Sequence, residues 1–271
     1  MKKIIIDILK GMVIGVANII PGVSGGTMAV SMGIYDKIVK IVGNAFYSIF
    51  KDFKNTVKFL LPIGIGAVLG ILLFSKLIKY CLEFYQMQTV FVFLGLILGT
   101  VPLILENANK NGFKKRYIIP GIITFVLMIS LFFIQKSADV VFTNDFSSMA
   151  MLFFYGVIAA GTMIIPGISG SFVLMLLGAY LPILTLVDGL QIIYLIPFAI
   201  GVVIGIIVFS KIIDVFLEKF YGYTYYTIIG FILGSLPLIF KDINWNISIL
   251  PLSIILCIIF SIGSYVLSNK M

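Results

Sequence analysis

The sequence predicts an all-α integral membrane protein built from two inverted-topology repeats, each a re-entrant helical hairpin followed by three transmembrane helices. Composition is the first observation behind this prediction. The chain has 271 residues, of which 61% are hydrophobic and 11% charged, and its mean hydropathy is +1.19. A soluble domain is about one-quarter charged. Here the apolar residues also form runs of about 20, the length that crosses a bilayer.

An internal repeat is the second observation. Residues 61–85 align with residues 196–220, and Pro, Gly, Phe-Ser-Lys and Glu positions match at a constant offset of 135. The same offset continues where residues 94–105 align with residues 229–240. Matches at so many special positions indicate that the chain arose by duplication.

Each half begins with a hairpin that carries the pattern Pro-Gly-x-Ser-Gly, in NIIPGVSGGT (18–27) and MIIPGISGSF (163–172), and the two hairpins match at an offset of 145. A hairpin that enters and leaves on one side adds an even number of crossings, whether it is re-entrant, as predicted, or fully spanning. Three further spans make the total odd, so consecutive halves must have opposite orientations. The first repeat is predicted over residues 1–135 and the second over 149–271. The predicted elements are, in order, a hairpin at 4–42, spans at about 59–82, 88–105 and 117–135, a hairpin at 150–187, and spans at about 194–217, 224–240 and 249–267.

The distribution of basic residues is the third observation. With these spans, all but four of the 19 Lys and Arg residues fall on the side of the N-terminus. The four exceptions are Lys76, Lys79, Lys136 and Lys241. By the positive-inside rule, both termini of this multi-pass chain are predicted to be cytoplasmic.

The two hairpin breaks are the candidate binding site. Pro21 and Gly22 end the first helix, and Ser24 or Thr27 is placed to cap the next; the second motif is expected to do the same. Free backbone N–H groups at such a break suit an anion, a phosphate or a carboxylate. A tight corner packed by small residues is the alternative reading. The candidate phosphate-binding residues are Pro21, Gly22, Ser24, Gly25, Gly26, Thr27, Pro166, Gly167, Ser169, Gly170 and Ser171.

Lys76 and Lys211 occupy equivalent positions in the two halves and complete the candidate phosphate site, one toward each membrane face. In the alternative interpretation they are lysines at helix ends that extend their ammonium groups to the interface, with Glu83 and Glu218 as partners. The acids nominated for proton coupling are Glu83, Glu218, Asp214 and Asp7. The four Gly pairs at spacing i, i+4 (Gly66/Gly70, Gly95/Gly99, Gly201/Gly205, Gly230/Gly234) are expected to pack helices closely.

Composition also argues against several function classes. The chain has no histidine, so histidine acid–base catalysis and histidine metal ligation are excluded. Cys81 and Cys257 lie far apart in apolar segments and are interpreted as inert hydrophobes. We therefore expect no enzyme activity, no cofactor, no metal and no nucleic-acid partner.

The stretches ANIIPGVSGGTMAVSMGIY and IAAGTMIIPGISGSFVLMLLGAY resemble the two signature stretches of a bacterial membrane family of polyprenyl-phosphate transporters (PopT-like), and the resemblance covers nearly the whole chain. It implies return of undecaprenyl phosphate from the outer to the inner leaflet of the plasma membrane for cell-envelope synthesis. Arg116, the single arginine, lies in a predicted cytoplasmic loop, so lysines and backbone amides would bind the phosphate. A transporter or channel for a small soluble anion and an intramembrane phosphatase remain as alternatives.

Overall fold

The computed structural model describes residues 2–19, 24–45, 48, 51–133, 140–143, 145–240, 243 and 245–270. Every regular element of more than three residues in these ranges is an α-helix, which confirms the predicted all-α class. The helices are α1 (Lys2–Ile19), α2 (Gly25–Ser31), α3 (Tyr35–Gly43), α4 (Phe53–Phe84), α5 (Gln86–Ala108), α6 (Ile118–Phe132), α7 (Phe146–Ile164), α8 (Gly170–Leu176), α9 (Tyr180–Asp188), α10 (Ile192–Lys219), α11 (Tyr221–Ile239) and α12 (Leu250–Lys270).

Several of these helices fit an integral membrane protein. Among the described residues, α4, α5, α7 and α10 are long and apolar enough to cross a bilayer, and α12 holds a shorter apolar stretch. Large apolar side chains are exposed along these helices, as Leu72 and Val203 are, which is expected where the neighbour is lipid rather than water. The predicted membrane class is therefore confirmed.

Both hairpins contain a break. In the first, α1 ends at Ile19 and α2 begins at Gly25; in the second, α7 ends at Ile164 and α8 begins at Gly170. The short helices α8 and α9 are bent by 115° relative to each other. With its 19 residues, α7 is about 28 Å long, which is enough for a full crossing. Hairpin two (residues 146–188) thus joins one span-length helix to a bent pair of short helices.

The long helices pack in two kinds of pair. Within each half, the first helix of the hairpin packs along the first long helix after it, α1 on α4 and α7 on α10. Between halves, α5 packs on α12 and α6 packs on α11. In each half, the second helix after the hairpin is therefore paired with the third helix after the hairpin of the other half.

The four predicted glycine pairs lie at these helix contacts. A Cβ atom at any of these glycines would overlap an atom of the neighbouring helix, so the helices can approach this closely only because no side chain is present. The pairs and their partners are Gly66 and Gly70 against α1, Gly201 and Gly205 against α7, Gly95 and Gly99 against α12, and Gly230 and Gly234 against α6. The predicted packing role of these glycines is confirmed.

Hairpin one (residues 2–43) packs more deeply than hairpin two. All residues of α2 except Gly26 are buried, whereas in α8 only Gly170 and Leu174 are buried. In addition, α3 crosses to the other half and packs on α10. Gly43 allows this contact, because a Cβ there would lie 2.7 Å from the backbone nitrogen of Lys211.

Candidate functional site at the two helix breaks

The structure brings the two breaks into direct contact. The backbone N–H of Gly167 donates a hydrogen bond to Thr27 Oγ1 at 2.9 Å, and this bond is buried. The hydroxyl of Tyr35 donates to the carbonyl oxygen of Ile164 at 3.1 Å, which satisfies a carbonyl at the end of α7. A hydrogen bond therefore joins Gly167 of the second Pro-Gly-x-Ser-Gly motif to Thr27, which lies 140 positions earlier and two residues after the first motif.

At the first break, local hydrogen bonds fix the start of α2. Ser24 occupies the N-cap position, and its side chain accepts a hydrogen bond from the N–H of Gly26 at 3.2 Å. The N–H of Gly25 donates to Asn18 Oδ1 at 3.1 Å. The predicted cap is therefore Ser24, while Thr27 serves the contact between the breaks. Pro21 and Gly22 lie outside the described residues.

The second break is built differently. Gly167 has a φ of +88°, a conformation that favours glycine, and a Cβ there would lie 2.6 Å from the backbone nitrogen of Ile232 on α11. Ser169 occupies the N-cap position of α8 but makes no capping hydrogen bond. Its hydroxyl lies 2.8 Å from that of Ser171 instead. The expectation that the second motif caps its helix as the first does is wrong. Pro166 and Gly170 are buried here.

A polar cavity of about 1050 Å³ lies beside hairpin one, between the start of α1, α3, the start of α4 and the last turns of α10. Its charged lining residues are Lys3, Lys37, Lys40, Lys58, Lys211, Asp7, Asp52, Asp214 and Glu218. The sequence predicts that all five lysines lie on the cytoplasmic side. The structure groups them around one space, and two acids of this cavity, Asp7 and Asp214, have little exposure to solvent.

Lys211 belongs to a hydrogen-bonded cluster in this cavity. Its ammonium group donates to Asn44 Oδ1 at 2.5 Å and lies 3.7 Å from Asp214 Oδ2. The amide nitrogen of Asn44 donates to the same Asp214 oxygen at 2.6 Å. Glu218 instead pairs with Lys40 at 3.7 Å. The Lys211–Glu218 partnership of the alternative interpretation is therefore wrong, because Lys211 pairs with Asp214, one turn along α10, and Glu218 pairs with Lys40.

The equivalent lysine of the first half has a different environment. Lys76 is exposed on α4 and makes no hydrogen bond or ion pair with another described residue. Glu83, seven residues further along α4, is also exposed. Lys76 and Glu83 do not line the polar cavity, whereas Lys211, Asp214, Glu218 and Asp7 do.

Sequence reasoning missed two residues that connect the hairpins to the rest of the chain. The Asp36 carboxylate accepts a hydrogen bond from the Tyr225 hydroxyl at 2.8 Å, which ties α3 to α11. Lys10 donates to the carbonyl of Met32 at 3.0 Å, at the end of α2. Asp36 has no charged equivalent in the second half, where Leu181 stands, so the repeat comparison did not select it.

Comparisons with known proteins identify relatives of this chain. A family model described as undecaprenyl phosphate translocase-like matches residues 14–249. A polyprenyl-phosphate transporter of Staphylococcus aureus is 35% identical, with 97% of this chain and 96% of the relative covered. A polyprenyl-phosphate transporter of Vibrio cholerae is 32% identical, with 89% and 80% covered. No solved structure matches the chain.

Proposed function

Because the chain belongs to the undecaprenyl phosphate translocase-like family, we propose that it is a flippase that returns undecaprenyl phosphate from the outer to the inner leaflet of a bacterial plasma membrane. The two relatives named above are polyprenyl-phosphate transporters, which supports polyprenyl phosphate transport as the role of this chain. The recovered carrier lipid would then be reused in cell-envelope synthesis. The protein acts by binding and releasing its substrate, with no chemical change to it.

The hydrogen bond between Gly167 and Thr27 is the single observation that carries the phosphate site. A buried backbone N–H needs an acceptor, and here the acceptor comes from the other half of the chain. A phosphate oxygen is charged and accepts more strongly than a hydroxyl, so it would replace Thr27 Oγ1. The helices after the breaks have seven residues each, so hydroxyl and amide groups would contribute more than helix dipoles.

The pairing of the long helices supports two inverted repeats. The contact of α1 with α4 has its counterpart in the contact of α7 with α10, and that of α5 with α12 in the contact of α11 with α6. Exchanged pairs of this kind are expected when two repeats are related by a pseudo-two-fold axis, as inverted repeats are. We propose that the hairpins enter from opposite faces and meet at their breaks within the membrane.

The polar cavity is the proposed exit on the cytoplasmic side. Lys40 and Lys211 would meet the phosphate after it passes the breaks, and both are already close to acids, Glu218 and Asp214. These acids would weaken the hold of the lysines on the anion and favour its release. On the opposite face, Lys76, which has no partner among the described residues, would attract the headgroup. Asp7 and Asp214 are the preferred coupling acids, because both are buried.

Translocation of undecaprenyl phosphate in reconstituted liposomes tests this function. The wild-type protein should move the lipid between leaflets. Thr27→Val should slow this movement at least tenfold, because Gly167 loses its hydrogen-bond acceptor in the closed contact and the phosphate loses a neighbouring hydroxyl. Thr162→Val is the matched control, since the Thr162 hydroxyl bonds only carbonyls of its own helix, at 2.9 Å. Translocation no faster than in empty liposomes would reject the proposal.

A transporter for a soluble anion is the second candidate, favoured by the size and charge of the polar cavity. Liposomes loaded with inorganic phosphate separate the two functions. Release of phosphate without any polyprenyl lipid would support the soluble-anion function. In cells, depletion of the flippase should leave more undecaprenyl phosphate in the outer leaflet, and an unchanged outer-leaflet amount would contradict the proposed direction.

A further inference from the structure

A second cavity, of about 570 Å³, lies beside the second break, between α6, α10 and α11. This volume falls within the range of small-molecule binding sites, roughly 300–1,000 Å³. Ile165 and Pro166 of the break form part of its wall. Most other lining side chains are apolar, among them Pro120, Ile213, Phe216, Phe220 and Phe231.

The cavity leads from the break to the surface of the helix bundle. At its inner end, Tyr35 is 3% exposed and donates its hydroxyl to Ile164. At its outer end, Phe216 and Phe220 are each 50% exposed. The lining along α11 from Tyr223 to Phe231 extends about 12 Å at 1.5 Å per residue. An elongated apolar ligand could therefore begin at the break and emerge between α10 and α11.

Three of the four hydroxyl groups that line this cavity already donate hydrogen bonds within the protein. The Thr224 hydroxyl donates to carbonyl oxygens of Phe216 and Phe220 at 3.0 Å, and the Thr227 hydroxyl donates to that of Tyr223 at 2.8 Å. With the Tyr35 hydroxyl also engaged, no hydroxyl proton of these three side chains is free for a ligand. The lining therefore suits a hydrocarbon and leaves an anionic headgroup to the break.

We propose that this cavity binds the first isoprene units of the substrate, those next to the phosphate, while the rest of the tail lies in the bilayer. This inference rests on the proposed function and adds to it a site for the tail. Lipid is as apolar as the cavity, so entry gains little from the hydrophobic effect. Selectivity would come from shape, because the rigid aromatic and proline walls fit a methyl-branched, unsaturated chain better than a straight one.

The test uses purified protein in nanodiscs and two phosphates of equal chain length, farnesyl phosphate and dodecyl phosphate. The wild-type protein should bind farnesyl phosphate at least tenfold more tightly. Thr227→Trp should remove this preference by filling the cavity, while its affinity for dodecyl phosphate changes less than threefold. Val126→Trp on α6 is the control, because Val126 is 57% exposed and does not line the cavity; it should keep the preference.

A photoreactive polyprenyl phosphate, with its diazirine on an isoprene unit next to the phosphate, keeps the proposal testable should Thr227→Trp fail to fold. Labelling of α10 or α11 between Ile213 and Phe231 in the wild-type protein would support the inference. Two results would overturn the tail site: equal affinities for farnesyl phosphate and dodecyl phosphate, or labels only outside this cavity. If the protein still translocates polyprenyl phosphate, either result leaves the proposed function intact. Labelling in the cavity without translocation would reject the flippase function and retain the tail site.

Discussion

The two hairpins carry the same Pro-Gly-x-Ser-Gly pattern, but they pack differently. Hairpin one buries nearly all of α2 and lays α3 on α10, whereas hairpin two leaves most of α8 partly or fully exposed. Gly43 permits the contact of α3 with α10, and the equivalent position in the second hairpin is Asp188. A shared motif therefore sets the breaks, while single residues outside it decide how each hairpin packs.

Gly43→Ala should break the packing of hairpin one and gives the largest expected effect. The new Cβ would overlap backbone atoms of Ser210 and Lys211, which cannot move aside cheaply, so we expect a loss of about 2 kcal/mol of stability. Thermal unfolding in detergent measures this change. Gly64→Ala is the control: a Cβ at Gly64 meets nothing within 4 Å, so its melting temperature should stay equal or rise. Equal melting temperatures for the two variants would contradict the close contact.

Substitution of the two equivalent lysines tests whether they contribute differently to stability in the two halves. Lys211→Met should lower stability by about 1–2 kcal/mol, because it leaves the buried Asp214 carboxylate with Asn44 but without the cation that it pairs with. Lys76→Met should stay within about 0.5 kcal/mol of the wild type, as exposed substitutions usually do. The double variant Lys211→Met/Asp214→Asn should recover most of the loss. A double variant no more stable than Lys211→Met would mean that the charge pair does not explain it.

The two serines at the helix starts should differ by a smaller amount. Ser24→Ala removes a side-chain cap and should lower the unfolding free energy by about 1 kcal/mol. Ser169→Ala should have almost no effect, because Ser169 makes no capping bond. Chemical denaturation in mixed micelles can resolve this difference. Equal losses for the two alanine variants would show that the serines act alike.

The smallest expected effect concerns Asp145, before α7. Hydrogen bonds from the backbone amide and then the hydroxyl of Ser148 hold the pKa of the Asp145 carboxylate below its usual 3.8. The capping contribution should be full above the unfolded-state pKa and should disappear as pH falls through the lowered folded-state pKa. Asp145→Ala should therefore lower the melting temperature slightly at pH 7 and not at strongly acidic pH.

Asp52 supplies the control for this pH dependence. It occupies the N-cap position of α4 without a capping bond and accepts one hydrogen bond from the exposed Asn55 side-chain amide at 2.7 Å, so Asp52→Ala should change the melting temperature less than Asp145→Ala does at pH 7. A constant difference between wild type and Asp145→Ala across the pH range would contradict the assignment of the effect to the charged carboxylate.

Much of the fold follows from patterns that are local in the sequence. Hydropathy predicts the apolar helices, and the spacing of residues such as Gly66 and Gly70 predicts which helix faces approach closely. These signals reflect physical requirements that act on every residue of a helix, namely solvation by lipid and steric fit. They do not say which helix is the partner, so the exchange of partners between halves was not predicted.

The site was less predictable because its contacts join distant residues. The repeat identified Lys211, but Asn44 lies outside the aligned motif, and a lone asparagine carries no sequence signal of its partner. The repeat does not identify Asp36 either, because Leu181 stands at the equivalent position of the second half. The hydrogen bond of Thr27 with Gly167 required the relative placement of two hairpins, which depends on packing across the whole chain.

The exchanged pairing of long helices also has a consequence for biogenesis. The glycine face of α5 fits against α12, which the ribosome synthesises more than 140 residues later. During synthesis α5 must therefore remain in the bilayer as a helix without its partner until the second half has been inserted. Neither half should reach its native packing alone, and two separately expressed half-chains should accumulate only when they are produced together.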